Sequence, residues 1–309
     1  MLDGLTRGAP LGTVAGMSQP SRPFRQVNVF SAQPTAGNPV AVVHGAEGLT
    51  DEQLSDFARW TNLSETTFLL DPTDAGRAAG ADYRVRIWTP GGELPFAGHP
   101  TLGTAHAWLE AGGVPRGQDV IQECGVGLVR VRRQDTGSGQ RLAFAGPPLI
   151  RSGAVDDADL AQIARSLRLD VSDVVRSAWV DNGPGWVAVQ LRDADVVLGL
   201  EPDLVAMGDL KLGVVGEYGP GRSPAEQSAP AVEVRAFVPS IGVGEDPVTG
   251  SLNAGLGQWL AGDVLPSSYV ASQGTAMGRA GRVHVEKLPD GEVWVGGDTV
   301  TTVVGEVTL

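Results

Sequence analysis

The sequence predicts an α+β protein of two pseudo-symmetric lobes from an internal duplication, each a curved, mainly antiparallel sheet wrapped around a central helix. Three observations predict it. Strand-like segments predominate along the chain. Each half holds one helix-like segment of small and apolar residues with little polar face, the pattern of a helix enclosed by sheet. The order of segments in the second half also follows that of the first, at an offset of 147 residues between His99 and Asp246 and 149 between Val85 and Val234. That spacing is too long for a solenoid and suits two related domains.

Residues 1–23, rich in Gly, Pro, Ser and Thr, are read as a disordered tail before lobes at 24–147 and 148–309. The boundary is Gly146-Pro147-Pro148, and the final strand is free to return to the first lobe. Phe24 to Phe30 has the partial alternation of a strand, Gln33 to Pro39 is a turn, and Val40 to Val43 is a short buried strand. Thr50 followed three residues on by Gln53 is a helix start of the capping-box type. Its apolar face is Leu54, Phe57, Ala58 and Trp60, as far as Thr61. Thr66 to Leu70 and Tyr83 to Trp88 are strands. The first enclosed helix runs from Thr101 to Glu110 and stops at Gly112-Gly113. Strands follow at Val126 to Val131 and Leu142 to Phe144.

In the second half, Val232 to Pro239 lies on Tyr83 to Pro90, keeping Val, Arg and Pro. Asp246-Pro247-Val248-Thr249-Gly250-Ser251 falls on His99-Pro100-Thr101-Leu102-Gly103-Thr104. Both lead into helices ending in Trp-Leu, at Trp108-Leu109 and Trp259-Leu260. Upstream, Gly185 to Val189 matches Pro39 to Val42.

Composition removes several function classes. Lys plus Arg is 23 against 36 Asp plus Glu, a net charge of −13, so no basic surplus exists for nucleic acid. The single Cys124 excludes an internal disulfide and any chemistry needing two thiols. His44, His99, His106 and His284 show no metal-ligand spacing, and no G-x-G-x-x-G turn marks a dinucleotide fold. No metal and no cofactor are therefore expected. No apolar run reaches the ~20 residues of a membrane span. The N-terminal segment lacks a secretory h-region, so a cytoplasmic location is expected.

Each half places a proline-containing turn directly before its enclosed helix. A helix N-terminus carries unpaired N–H groups and the positive end of the dipole. If the lobes face each other, both helix ends point into one cleft, where a carboxylate could sit beside His99 and Asp246. Taken singly, either turn is also what an ordinary helix start with Pro at its first position looks like. By the same token, Glu65 alone reads as a solvated carboxylate, and Cys124 as an inert strand residue.

Four segments in order carry a more specific resemblance. They are Phe30-Ser31-Ala32-Gln33-Pro34-Thr35-Ala36-Gly37-Asn38-Pro39-Val40-Ala41-Val42, Asn62-Leu63-Ser64-Glu65-Thr66-Thr67-Phe68, Glu93-Leu94-Pro95-Phe96-Ala97-Gly98-His99-Pro100-Thr101-Leu102-Gly103 and Glu245-Asp246-Pro247-Val248-Thr249-Gly250-Ser251. Gln273-Gly274 and Gly278-Arg279 follow downstream. From Gln26 to the C-terminus the chain resembles the phenazine-biosynthesis PhzF-like isomerase family, within the diaminopimelate epimerase fold. The resemblance implies a site between two lobes and cofactor-independent proton transfer. It gives Glu65 the acid/base role and places His99 and Asp246 on the substrate. Gly98, Thr101, Gly250, Ser251 and Asn38 become substrate-binding residues. It also implies a homodimer. The second helix has Leu252 where Ala is more usual, and Leu252 is expected to narrow the cleft.

Related epimerases and proline racemases of this fold use two opposed cysteines, and the matching segments here contain none. A single carboxylic acid can instead take a proton from one carbon and return it to another on the same face. The leading expectation is thus an isomerase acting on a small carboxylate. The alternatives are a lyase or dehydratase on the same scaffold, or a non-catalytic small-carboxylate binding protein.

Overall fold

The computed structural model of the protein describes residues 20–136, 140–219, 229–241 and 243–309. The first part of the chain forms β1 (Ser21–Val29), β2 (Asn38–Val43), α1 (Asp51–Thr61), β3 (Thr66–Leu70), α2 (Asp74–Ala78), β4 (Tyr83–Thr89), β5 (Gly92–Leu94), α3 (Gly98–Glu110), β6 (Val120–Cys124), β7 (Gly127–Asp135) and β8 (Gln140–Ala145). There follow β9 (Arg151–Gly153), α4 (Asp157–Leu167), β10 (Arg176–Asp181), β11 (Trp186–Gln190), α5 (Ala194–Leu198), α6 (Leu204–Met207) and β12 (Lys211–Glu217). The last part comprises β13 (Val232–Val238), β14 (Val243–Asp246), α7 (Gly250–Leu260), β15 (Ser268–Gln273), β16 (Gly281–Lys287) and β17 (Val293–Thr308).

The strands β1, β2, β3, β4, β6, β7, β8 and β17 pair in that order, and β17 returns to β1. The sheet therefore closes into a barrel, which removes its free edges. Only the β2–β3 and β4–β6 pairs in this ring are parallel. Beyond the ring, β16 joins β17, and β15, β13, β12, β11, β10 and β9 follow in turn. There too the parallel pairs are two, β11–β12 and β13–β15. Hairpins β4–β5 and β13–β14 project from the sheet.

Helix α3 lies inside the ring, against β1, β2, β3, β6, β7, β8 and β17. Its lack of a polar face follows from this enclosure, because nearly every side is packed. Beyond its first turn, the polar side chains it carries are paired with its neighbours. Thr104 Oγ1 donates to Thr67 Oγ1 at 2.9 Å, and His106 lies between the Thr299 and Thr301 hydroxyls at 2.9 and 3.0 Å. Helix α7 packs against β10, β11, β16 and β17. Among the described residues no helix is long and apolar enough to cross a membrane.

The structure corrects three sequence expectations. Strand β1 begins at Ser21, not Phe24, because it pairs with the end of β17 from Ser21 onward; the rest of the predicted tail, residues 1–19, lies outside the described residues. Helix α3 begins at Gly98, not Thr101. Pro100 is its third residue, where the missing N–H costs nothing because the first turn has no intrahelical acceptor. Neither proline occupies the first helical position, since Pro247 precedes α7 by three residues. Trp60 is 80% exposed and stacks on Phe57, leaving Leu54, Phe57 and Ala58 as the buried face of α1.

Gly103 sits where α3 meets β1 and β2. A Cβ there would lie 2.3 Å from Val40 Cγ1 and 3.1 Å from Val29 Cγ2. Gly103→Ala is expected to lower stability by about 1–3 kcal/mol, as overpacking does, despite the better helix propensity of Ala. Urea unfolding checks this, and a variant as stable as the wild type would contradict the enclosed packing.

Candidate active site

The first turns of α3 and α7 meet. A Cβ on Gly98 would stand 3.1 Å from the Cα of Gly250 and 2.7 Å from Phe144 Cζ, and one on Gly250 would stand 3.2 Å from the Cα of Gly98. Glycine at both positions allows the two backbones to approach. Neither helix has a side-chain N-cap. Among the described residues the other five α-helices are capped by Thr50, Thr73, Asp156, Asp193 and Asp203. The intrahelical bonds begin at Thr101 N–H to Ala97 O (3.2 Å) and Asn253 N–H to Thr249 O (3.1 Å). The N–H groups of Gly98 and His99, and of Gly250, Ser251 and Leu252, precede them. These donors, with two dipole ends, form a setting for an anion.

Glu65 lies in the loop between α1 and β3, its side chain 16% exposed. Its Oε2 is 3.3 Å from Nε2 of His99. The two atoms are not aligned as a hydrogen bond, and both are buried without a hydrogen-bond partner. Burial first, and then the negative charge of Asp246, pushes the Glu65 carboxyl up from 4.5 to about 8, against a hydrogen bond from Ser64. Burial drives His99 down to about 3, opposed by a hydrogen bond to the Pro39 carbonyl. Burial also raises Asp246 to about 6, held back by hydrogen bonds from Thr249 and Asn38. Near neutral pH the site thus holds a neutral imidazole, a largely protonated Glu65 and a mostly ionised Asp246.

Asp246 ends β14. Its Oδ2 accepts from Thr249 Oγ1 at 2.5 Å and its Oδ1 from Asn38 Nδ2 at 3.0 Å. Asn38, fully buried at the start of β2, also donates to Val248 O at 2.9 Å. Both its amide hydrogens are thereby used, which leaves the 3.4 Å approach of Nδ2 to His99 Nδ1 as a contact. Gln273, at the end of β15, accepts from Thr249 N–H at 3.0 Å and from Asn253 Nδ2 at 2.9 Å. It donates to Thr249 Oγ1 at 2.9 Å and to the Asp246 carbonyl at 3.2 Å. Ser251 Oγ accepts from Trp186 Nε1 at 3.0 Å, and Ser251 O from Asn182 Nδ2 at 2.9 Å. An indole N–H only donates, so the Ser251 hydroxyl hydrogen stays available to an anion at the helix start.

The structure therefore brings together Glu65, His99, Asp246, Asn38, Gly98 and Gly250, with Ser251 in the same first turn of α7. It does not bring in Thr101. That side chain is fully buried and accepts from Gln122 Nε2 at 2.9 Å, inside the barrel. Leu252 does not narrow the cleft. It is fully buried in the core against Gly213 of β12, where a Cβ would come within 2.3 Å of Leu252 Cδ1. Sequence reasoning missed Thr249, Asn182 and Trp186 as site-shaping residues and used Gln273 only as a family signature. Thr249 lay inside a quoted motif, whereas Asn182 and Trp186 gave no local signal. Cys124 ends β6, half-buried. Among the described residues no three His, Cys, Asp or Glu side chains cluster as a metal site would.

The profile of the PhzC-PhzF family, phenazine biosynthesis-like proteins, matches residues 27–305. The antisense-enhancing sequence 1 protein of Schizosaccharomyces pombe is 33% identical, over 92% of this chain and 97% of its own length. The trans-2,3-dihydro-3-hydroxyanthranilate isomerase of Pseudomonas aeruginosa is 34% identical, over 86% of this chain and 90% of its own. A PhzF-family phenazine biosynthesis protein of Bacillus anthracis, known from its crystal structure, shares the fold with a TM-score of 0.77 at 22% identity, covering 94% of this chain and 100% of that one. The chain belongs to the PhzC-PhzF family.

The raised Glu65 carboxyl has a consequence for stability. The folded protein holds this proton more tightly than the unfolded chain does. Its contribution is fully present below about 4.5 and is lost as pH rises through about 8. Glu65→Gln removes the titration. It is expected to gain stability relative to wild type, by on the order of 2–4 kcal/mol more at pH 8 than at pH 4.5. Chemical denaturation at the two pH values measures the difference, and an equal effect at both would refute the shift.

Proposed function

We propose that this member of the PhzC-PhzF family is a cofactor-independent isomerase that moves a proton within a small carboxylate-bearing substrate, with Glu65 as the general acid/base. The observation that carries the reading is Glu65 itself, a buried carboxyl with an unpartnered oxygen beside two uncapped helix ends. An acid/base group titrating at about 8 is present in both forms near neutral pH, as a proton carrier must be. The substrate carboxylate is held by the N–H groups of Gly98, His99, Gly250 and Ser251. Glu65 takes a proton from one carbon and returns it to another on the same face. His99, kept neutral, and Asp246, kept ionised, orient the substrate. The reaction asks for a group that gives and takes a proton, and for an anion site, and this chain supplies both.

The frame is proposed to have arisen by duplication. In support, the pairing pattern of β1 to β8, two parallel pairs among antiparallel ones with one glycine-led helix, recurs in β10 to β17. A cytoplasmic homodimer is the proposed form; a monomer mass by light scattering at micromolar concentration would count against it.

The P. aeruginosa relative is named for trans-2,3-dihydro-3-hydroxyanthranilate, which makes that compound the first substrate to test. Turnover in heavy water is expected to place deuterium at the new carbon position with no loss of water from the product. Glu65→Gln is expected to lower turnover by about 10²–10⁴-fold or more, while the affinity for 3-hydroxyanthranilate, an aromatic analogue, changes little. A variant keeping more than about a tenth of wild-type turnover would show that Glu65 is not the proton carrier.

A further inference from the structure

We propose that Gln273 is a positioning residue that decides which of the two neighbouring carboxyl groups carries the proton. By turning the Thr249 hydroxyl toward Asp246, it holds Asp246 as the carboxylate and leaves the proton to Glu65. The inference rests on the isomerase reading for its catalytic meaning, but its physical content is independent of turnover.

Donor and acceptor accounting fixes each step. The Gln273 side chain is fully buried. Its Oε1 faces two groups that can only donate, the Thr249 N–H and the Asn253 amide nitrogen, at 3.0 and 2.9 Å. The oxygen end of the amide is thereby assigned, and Nε2 must donate. Its hydrogens go to Thr249 Oγ1 at 2.9 Å and Asp246 O at 3.2 Å. Thr249 Oγ1 therefore accepts from Gln273, and its one hydrogen goes to Asp246 Oδ2, 2.5 Å away. Asn38 supplies the other oxygen. Asp246 thus receives a hydrogen bond on each oxygen, which favours the ionised form. Glu65 Oε2 receives none.

The charged and titratable groups around Asp246 leave this device room to act. Glu245, next in the strand, is held by Arg235 of β13 in a two-pronged pair at 2.9 and 2.7 Å. From α3 comes His99, kept neutral by burial. Arg279, on the turn after Gln273, donates to the Thr35 carbonyl. Among the described residues Glu65 is the other carboxyl that bears on Asp246, and the two compete for one proton.

The test is a ¹³C carboxyl NMR titration of the full chain without substrate, with the Asp246 signal assigned through Asp246→Asn. Gln273→Met, neutral and of similar length, frees the Thr249 hydroxyl to turn away. Thr249→Val removes the hydroxyl at nearly constant shape. Each is expected to raise the Asp246 midpoint by about one pH unit, the scale of one hydrogen bond to a charged group. The double variant is expected to show no more than the Thr249→Val shift. An unchanged midpoint in Thr249→Val overturns the proposal even if Gln273→Met fails to fold. So do additive shifts in the double variant, which would mean that Gln273 acts by another route. Because the titration needs no turnover, it separates the two readings. An unmoved midpoint with an inactive Glu65→Gln leaves the isomerase standing. A moved midpoint with an active Glu65→Gln sinks the isomerase and keeps the assignment of the proton.

Discussion

The N-termini of α3 and α7 approach so closely at Gly98 and Gly250 that a methyl group on either would press on the other's backbone. The chemistry proposed for the molecule depends on that approach. A helix start leaves N–H groups without intrahelical partners, and most proteins spend a Ser, Thr or Asp on them. Among the described residues this chain does so at five α-helices and omits it at the two that meet. Leaving buried donors unpaired is unfavourable. An anion placed there would offset that cost, and this is the physical ground for the carboxylate site proposed above.

The carboxyl groups beside those helix ends answer a second constraint. Among the described residues no ion pair to either is found except the contact of Glu65 with His99, and the buried guanidinium of Arg235 is taken by Glu245 and by the Leu200 and Val197 carbonyls. Two buried carboxylates without a counter-ion repel each other and lose hydration, so at least one must take up a proton. Hydrogen bonding decides which. Asp246 receives a hydrogen bond on each oxygen, whereas Glu65 has one from Ser64 and leaves Oε2 without any, so the proton falls on the group with the free oxygen. The raised Glu65 carboxyl is therefore a product of burial without a counter-ion, and the burial that costs stability above about pH 4.5 also underlies the proton-carrier role proposed for it.

Much of this was legible in the sequence. The small-residue composition of α3 gave its enclosure, the Thr50–Gln53 spacing gave the capping box of α1, and the motifs pointed to Glu65, His99, Asp246 and both glycines. What the sequence hid was mostly a matter of distance along the chain. Thr101 stands one turn into α3 and faces Gln122, because a helix carries each successive side chain about 100° around its axis. Leu252 likewise turns to Gly213, a pocket made by a residue 39 positions earlier in β12. Trp186 and Asn182 reach Ser251 from β11 and the loop before it, and no local pattern announces such a contact. The start of α3 was misplaced for a local reason: proline is read as a boundary, but in a first turn it removes nothing.

The convergence of the helix ends must itself be held, and the turn between β1 and β2 shows how. Phe30 and Thr35 take φ of 65° and 66°, a conformation that costs non-glycine residues about 1–3 kcal/mol. Burial of the Phe30 ring against Gly297 and a bond from Arg282 N–H to Phe30 O at 2.7 Å hold the first bend. Asn28 closes the turn through Ser31 O, Gln33 O and Gly37 N–H, and Ala280 N–H reaches Ala36 O at 2.7 Å from the segment after β15. The strained turn delivers Asn38, whose amide hydrogens both go across to Val248 O and Asp246 Oδ1. One buried asparagine on the closed barrel thus grips the approach to α7 and the carboxylate in front of it. The same side chain bonds both the segment that leads into α7 and one oxygen of Asp246, the other oxygen being held by Thr249, so a change at Asn38 touches the helix approach and the carboxylate together.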